Sequence, residues 1–264
     1  MIRILRAFWS FLMGTCISVC AYGQFYDCTS GLLQNPSAEM NLSGTFMITN
    51  NYLNKHTLAS RMFGYDTFSY GFDLTVFSRV EVAYVCTILD GKRRPNGSER
   101  DKIMFNQDRH FSAKFLLLRE NDFGKSWIPS VAVGVCDPVS GYGGGGNYGE
   151  GDVTTDSNGF FNRMYIVATK HFDTGAGIVG GHIGYQYNLR NDPRFNAPCA
   201  AVDWAPIWLQ KERIVTTRLI AEYDARTFNA GAIVSIWRDH FEAMVELQAL
   251  KWLSAGVRYK VVLK

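Results

Sequence analysis

Apolar and polar side chains alternate one by one along stretches of about ten residues over most of this chain. Residues 67–77 show the pattern most clearly, with Phe68 and Phe72 in one register and Ser69 and Asp73 in the other. Successive side chains of a β-strand point to opposite faces of the sheet. The period of two therefore predicts a strand with one apolar face and one polar face.

Twelve stretches of this kind predict twelve strands. They cover residues 44–53, 67–77, 79–89, 109–119, 127–136, 161–171, 177–188, 199–205, 214–224, 227–237, 240–249 and 252–263. Their lengths suit the roughly nine to eleven residues with which a tilted strand crosses a bilayer. No stretch after the N-terminal leader is long and apolar enough for a transmembrane helix.

The links between the predicted strands alternate long and short over most of the chain. The long links cover residues 54–66, 90–108, 137–160 and 188–198. Bacterial outer-membrane barrels have short periplasmic turns and longer extracellular loops. An even number of strands with this alternation predicts an all-β, antiparallel transmembrane β-barrel of about 12 strands, with both ends of the barrel sequence in the periplasm.

A soluble β-sandwich also alternates, with its polar face toward water. Long strands, aromatic strand faces and charges of both signs on the polar faces favour the barrel instead. The polar faces give the candidate lumen-facing residues. These are Asp73, Glu81, Lys114, Arg218, Glu222, Glu242, Glu246 and Arg258. Side chains inside a barrel tune what it passes or stabilise it from within.

The first residues have the features of an export signal. Arg3 and Arg6 precede a short apolar run, and small residues at Ala21 and Gly23 allow cleavage after residue 23. A membrane anchor helix is the alternative, but the apolar run is shorter than the roughly 20 residues it needs. We therefore predict a signal peptide at residues 1–23, a periplasmic segment at 24–43 and the barrel at 44–264.

Composition excludes several other classes of protein. A formal net charge of +3 gives no basic field for nucleic acid. Four cysteines follow the leader, namely Cys28, Cys86, Cys136 and Cys199. Four cysteines allow two disulfides in three pairings, and small apolar strand residues are the alternative explanation. Neither the cysteines nor the histidines have metal-ligand spacing, so we expect no metal and no cofactor.

Two motifs invite a catalytic or binding interpretation. Residues 141–146 match a dinucleotide-binding glycine motif, but no helical pattern follows, which favours a loop. His110 and Ser112 form a His-x-Ser pair like that of outer-membrane phospholipases. Phe111 and Phe115 occupy the apolar face of that strand, so the pair is expected to point inward or to the rim. We predict no catalytic residues.

Several short strings, in order along the chain, resemble the YjbH-like exopolysaccharide biosynthesis family in the form seen in Bacteroides-type bacteria. They lie at residues 31–33, 36–40, 44–48, 106–109, 127–131, 137–138, 168–172 and 221–224. The resemblance implies an outer-membrane β-barrel associated with making or exporting extracellular polysaccharide. It supplies no catalytic residues.

The expected function is that of a non-enzymatic outer-membrane barrel of a Gram-negative bacterium. It would act as an accessory or conduit in exopolysaccharide or capsule biosynthesis and export. Its expected partners are outer-membrane lipid, polysaccharide and periplasmic export proteins, without nucleic acid. A barrel of about twelve strands is narrow, and residues 25–43 could fill it. The alternatives are an outer-membrane enzyme acting on lipid or glycan, and a structural or adhesion barrel.

Overall fold

The structure is a computed structural model that describes residues 28–56, 66–91, 103–138, 162–187, 196–211 and 215–263. The predicted signal peptide at residues 1–23 and the glycine-rich residues 141–146 lie outside this part of the chain.

The described residues form twelve antiparallel strands in one closed sheet. The strands are β1 (Thr45–Leu53), β2 (Thr67–Val76), β3 (Val80–Gly91), β4 (Ile103–Leu118), β5 (Ser130–Cys136), β6 (Arg163–Asp173), β7 (Gly177–Tyr187), β8 (Ala197–Pro206), β9 (Val215–Tyr223), β10 (Phe228–Ile236), β11 (Phe241–Gln248) and β12 (Trp252–Val262). Two short 3-10 turns, Asp122–Gly124 and Ile207–Leu209, lie between strands. No helix in the described ranges is long and apolar enough to cross a membrane.

Pairing of the first strand with the last closes the barrel. Thr45 lies opposite Val262 and Tyr52 lies opposite Ala255, while the other strands pair with their neighbours in sequence. The predicted antiparallel barrel of twelve strands is confirmed, and the two-sheet sandwich is wrong. The largest difference is in β4, which begins at Ile103 because its pairing with β3 continues past a bulge at Leu89.

The wall has its apolar side chains outside and its polar side chains inside. In β2, Phe68 and Phe72 are 44% and 45% exposed, whereas Ser69 and Asp73 are completely buried. A protein that folds in water normally buries its large apolar residues and exposes its polar ones. The faces predicted from residues 67–77 are those that the barrel uses.

The two ends of the barrel differ. At the end that we call the short-turn end, links of few residues join β2 to β3 and β6 to β7, and β1 starts beside the end of β12. Large exposed aromatic side chains surround this end, and we call them the aromatic belt. They are Phe77, Phe123, Trp127, Phe172, Trp208 and Trp237, which are 56% to 81% exposed. The opposite, long-loop end has the long links that follow β1, β3, β5 and β7.

Residues 28–41 lie inside the barrel, and we call them the luminal segment. The predicted periplasmic segment at residues 24–43 contains them. Cys28 packs against Ala83 and Val85 of β3, and Ala38 belongs to a cluster with wall residues of β4 to β6. The barrel interior is therefore a packed core in which chain from outside the sheet occupies the centre.

All four cysteines in the described part of the chain are buried thiols. Cys28 lies in the luminal segment, Cys86 in β3, Cys136 in β5 and Cys199 in β8. The interpretation of these residues as small apolar side chains suits their burial.

Candidate functional site

The eight candidate lumen-facing residues all lie inside the barrel, and each is at most 5% exposed. They do not form one cluster. Five of them contact the luminal segment at three anchor points, two pair with each other along the wall, and Asp73 hydrogen-bonds Thr75 within β2. Their arrangement shows how the interior is held closed.

The first anchor is the ion pair of Glu81 and Lys114, whose Oε2 and Nζ atoms lie 3.0 Å apart. The carboxylate of Glu81 accepts hydrogen bonds from the backbone N–H groups of Ser30 (2.9 Å) and Asn41 (3.1 Å). Lys114 donates to the backbone carbonyls of Ser30 and Glu39, both at 2.6 Å. Both ends of the luminal segment are thus fixed at one point on β3 and β4.

The second anchor binds the tip of the luminal segment. The carboxylate of Glu222 accepts hydrogen bonds from the backbone N–H groups of three consecutive residues, Leu33 (3.3 Å), Gln34 (2.7 Å) and Asn35 (3.3 Å). A tight turn, in which the N–H of Leu32 donates to the carbonyl of Asn35, points these groups in one direction. The side chain of Gln34 also donates to Glu246 at 2.6 Å. Two buried carboxylates thus obtain donors from the segment.

The third anchor is Glu39, the only carboxylate in the luminal segment. Its carboxylate lies 3.1 Å from Arg218 Nη2 and 3.2 Å from His171 Nε2. Arg218 also donates through Nε to Asp203 at 2.9 Å. Burial alone would raise the pKa of Glu39, but the Arg218 charge and the His171 hydrogen bond outweigh it and lower this pKa to about 2.

A chain of contacts connects Glu39 to the surface of the short-turn end. His171 Nδ1 lies 2.8 Å from Glu120, which in turn accepts a hydrogen bond from Lys170 at 2.8 Å. The side chains of Glu120 and Lys170 are 17% and 18% exposed. Burial would raise the pKa of Glu120, but the hydrogen bonds from Lys170 and His171 outweigh it and lower that pKa.

A second charged cluster joins neighbouring wall strands. Glu242 of β11 contacts Lys260 of β12 at 2.5 Å and Arg258 of β12 at 3.6 Å. Its hydrogen bond with Ser235 also stays within the wall. This cluster stabilises neighbouring strands and is chemically similar to the Glu39 anchor.

Sequence reasoning did not single out Glu39, Asp203 or His171. Asp203 lies at an inward-facing alternate position of β8, so the period of two could have identified it. Glu39 gives no such signal because the luminal segment has no alternation. Its partner Arg218 is 179 residues away in the chain.

Two hydroxyl–imidazole arrangements lie in the interior. His110 and Ser112 are 1% and 3% exposed, on the inward face that the sequence predicted. Thr169 lies 2.9 Å from His182, which lies 2.6 Å from Asp203. The Thr169 hydroxyl also accepts the backbone N–H of Ala38 at 2.9 Å, so the luminal segment covers it. The hydrogen bond between Ala38 and Thr169 thus links the luminal segment to the wall.

Comparison with known families assigns the chain. The family model of YjbH, described as "Exopolysaccharide biosynthesis protein YbjH", matches residues 24–202. The chain belongs to the YjbH family. The predicted family is therefore confirmed, and the match to YjbH spans the luminal segment together with β1 to β7. No curated protein shows a significant match to the chain.

Proposed function

We propose that this chain is an outer-membrane barrel of a Gram-negative bacterium that acts as a non-enzymatic accessory in exopolysaccharide biosynthesis and export. The observation that carries the proposal is the reversed polarity of the wall, with aromatic and aliphatic side chains outside and charged side chains inside. Combined with membership of an exopolysaccharide biosynthesis family, it connects a membrane barrel to polysaccharide production.

The exterior supports the membrane part of the proposal. Lipid requires every backbone polar group to be paired within the protein, and a closed sheet meets this requirement. Aromatic side chains are enriched where a membrane protein meets the headgroups, which suits the aromatic belt. We assign the short-turn end to the periplasm, where it would meet export proteins, and the long-loop end to the cell surface.

The interior supports an accessory role over a permanently open conduit. Three anchors hold the luminal segment across the lumen. A polysaccharide chain would need the space that this segment occupies. Passage through the lumen would therefore require the segment to move.

Deletion of the gene tests the proposal. We expect the mutant to show reduced or altered surface polysaccharide, and expression of the wild-type chain to restore it. Membrane fractionation of the restored strain should place the protein with the outer membrane. Unchanged amount and composition of surface polysaccharide would contradict the exopolysaccharide role, and recovery in the soluble fraction would contradict the membrane location.

A further inference from the structure

We propose that the luminal segment is a releasable plug, and that releasing it from Glu39 turns the sealed barrel into a water-filled channel. This inference rests on the membrane location in the proposed function. It adds an activity, gated passage of small hydrophilic solutes, that can be measured without any assay of polysaccharide.

The wall does not depend on the luminal segment for its closure. The twelve strands pair around the complete ring through β1 and β12 without using residues 28–41. Inside the segment, Gly31 and Pro36 pair with each other, and both ends meet at Glu81. The segment is therefore a compact loop that can leave its place while the strand pairing stays intact.

Most of the polar contacts that hold the loop can be exchanged for water. Glu222 accepts backbone N–H groups from the tip, and water can hydrate the same carboxylate after the tip leaves. The wall also has glycines at two of the positions where the loop packs. A Cβ atom placed on Gly231 would lie 2.2 Å from the backbone oxygen of Val245 and 2.9 Å from Leu33. One on Gly71 would lie 2.4 Å from the backbone oxygen of Tyr84 and 3.0 Å from Cys28. Departure of the loop would leave space at both positions.

The ion pairs of Glu39 are the contacts whose loss would release the loop from the wall. Glu39 is the only carboxylate of the segment, and it forms ion pairs with Arg218 and His171. Through His171 it is connected to Glu120 and Lys170, which reach solvent at the short-turn end. A change at that surface can therefore reach the loop through three direct contacts.

Conductance of the full chain in planar lipid bilayers tests the plug. Wild-type protein should insert and remain closed for most of the recording. Glu39→Gln keeps the size of the side chain and removes its charge, so we expect the open fraction to rise at least about tenfold. The matched control is Glu242→Gln, which disrupts an equally buried ion pair that lies between wall strands. It should stay as closed as the wild type.

Labelling of Cys28 gives a second readout of the same event. A water-soluble maleimide, located by mass spectrometry, should modify Cys28 faster in Glu39→Gln than in the wild type. Cys86 lies at an outward-facing position of β3, opposite Tyr70 of β2, so it serves as the internal control and should stay protected in both proteins. Cys136 and Cys199 lie at inward-facing positions of β5 and β8, so their reactivity should also rise when the loop is released. If Glu39→Gln does not fold, Glu39→Asp keeps the charge but shortens the side chain, which moves the carboxylate away from Arg218, and a smaller increase in both readouts is expected.

The outcomes separate this inference from the proposed function. Failure of the wild-type chain to enter bilayers contradicts the membrane location itself. Insertion with equal closure of wild type and Glu39→Gln, and with Cys28 protected in both, overturns the plug alone. Equal opening of Glu242→Gln and Glu39→Gln also overturns it, because loss of any buried ion pair would then suffice.

Discussion

Three glutamates show how buried carboxyl groups find polar partners inside this barrel. Glu81 has an ion pair with Lys114 together with backbone donors, Glu222 is met by consecutive backbone N–H groups, and Glu39 is held by Arg218 and His171. An ionised group removed from water without such partners is very costly. The luminal segment therefore both fills the interior and supplies part of its charge compensation.

Glu39 makes a specific contribution to the acid sensitivity of the protein. Its pKa is about 2 in the folded protein against an ordinary value of 4.5, so its ionised form stabilises the fold at neutral pH. This stabilisation is lost as the pH falls from about 4.5 toward 2, because the unfolded state then binds a proton that the folded state does not. Arg218, His171 and Asp203 are the charged groups that face it.

Unfolding by urea in detergent micelles measures this contribution. The free energy of unfolding of wild type minus that of Glu39→Gln should be positive between about pH 5 and 6, and should shrink as the pH falls toward 2. A difference that does not change with pH would show that the charge of Glu39 adds nothing to stability.

Some of these residue roles were predictable from the sequence and others were not. A period of two identifies which residues of a strand face inward, and it placed Arg218 and Glu222 correctly inside. It contains no information on which inward residues meet across the lumen. The partners of Glu39 depend on the path of a segment without periodicity, so only the folded structure reveals them.

At the scale of elements, the tight hairpins are unusual in their composition. Phe77 and Ser78, between β2 and β3, have φ values of 54° and 50°, and Ala249 and Leu250, between β11 and β12, have 51° and 55°. Such turns normally carry Asn-Gly, because most other residues are sterically strained in the left-handed backbone conformation. At Phe77 the exposed ring of the aromatic belt is one reason for keeping a bulky residue there.

The hairpin between β11 and β12 can therefore be stabilised by substitution. Ala249 and Leu250 are both exposed, and the N–H of Lys251 donates to the carbonyl of Gln248 across the turn. Ala249→Asn combined with Leu250→Gly should raise the free energy of unfolding by about 1 kcal/mol, by relieving the left-handed strain.

The urea midpoint in micelles checks this prediction, with Lys251→Gly as the matched control. Lys251 is not among the residues with left-handed backbone, so glycine there should give no stabilisation. A lower midpoint for the double variant would mean that the turn conformation is not strained.

Strand prediction succeeded where alternation was regular and was less accurate at the ends of elements. The faces of β2 were identified because apolar and polar residues alternate along it without interruption. The start of β4 was placed six residues too late, since residues 103–108 read as part of a polar loop. Pairing with β3 extends β4 over these residues, and such pairing cannot be recognised from the sequence of β4 alone.

At the scale of the whole molecule, the exterior combines an apolar wall with the aromatic belt at one end. Rings on neighbouring strands also contact each other along the outside, with centroid distances of 5.9 Å for Phe46–Phe72, 5.7 Å for Phe72–Tyr84 and 5.0 Å for Tyr84–Phe111. Such cross-strand pairs stabilise adjacent strands. The outward-facing rings thus stabilise strand pairing and also provide the proposed contact with lipid.

Tryptophan fluorescence tests where this exterior lies in a membrane. Trp127, Trp208 and Trp237 belong to the belt at the short-turn end, so lipids brominated near the headgroup should quench them more than lipids brominated near the chain end. Substitution of all three by Phe should remove most of that difference. Equal emission in brominated and ordinary vesicles would contradict placement of the belt at the interface.

The position of the luminal segment before β1 has a consequence for biogenesis. Residues 28–41 leave the ribosome ahead of every strand, whereas the seam between β1 and β12 joins residues as distant as Thr45 and Val262. Pairing over such a separation is slow, because the intervening chain must first be ordered. The segment therefore precedes, in order of synthesis, the strand pairing that closes the barrel.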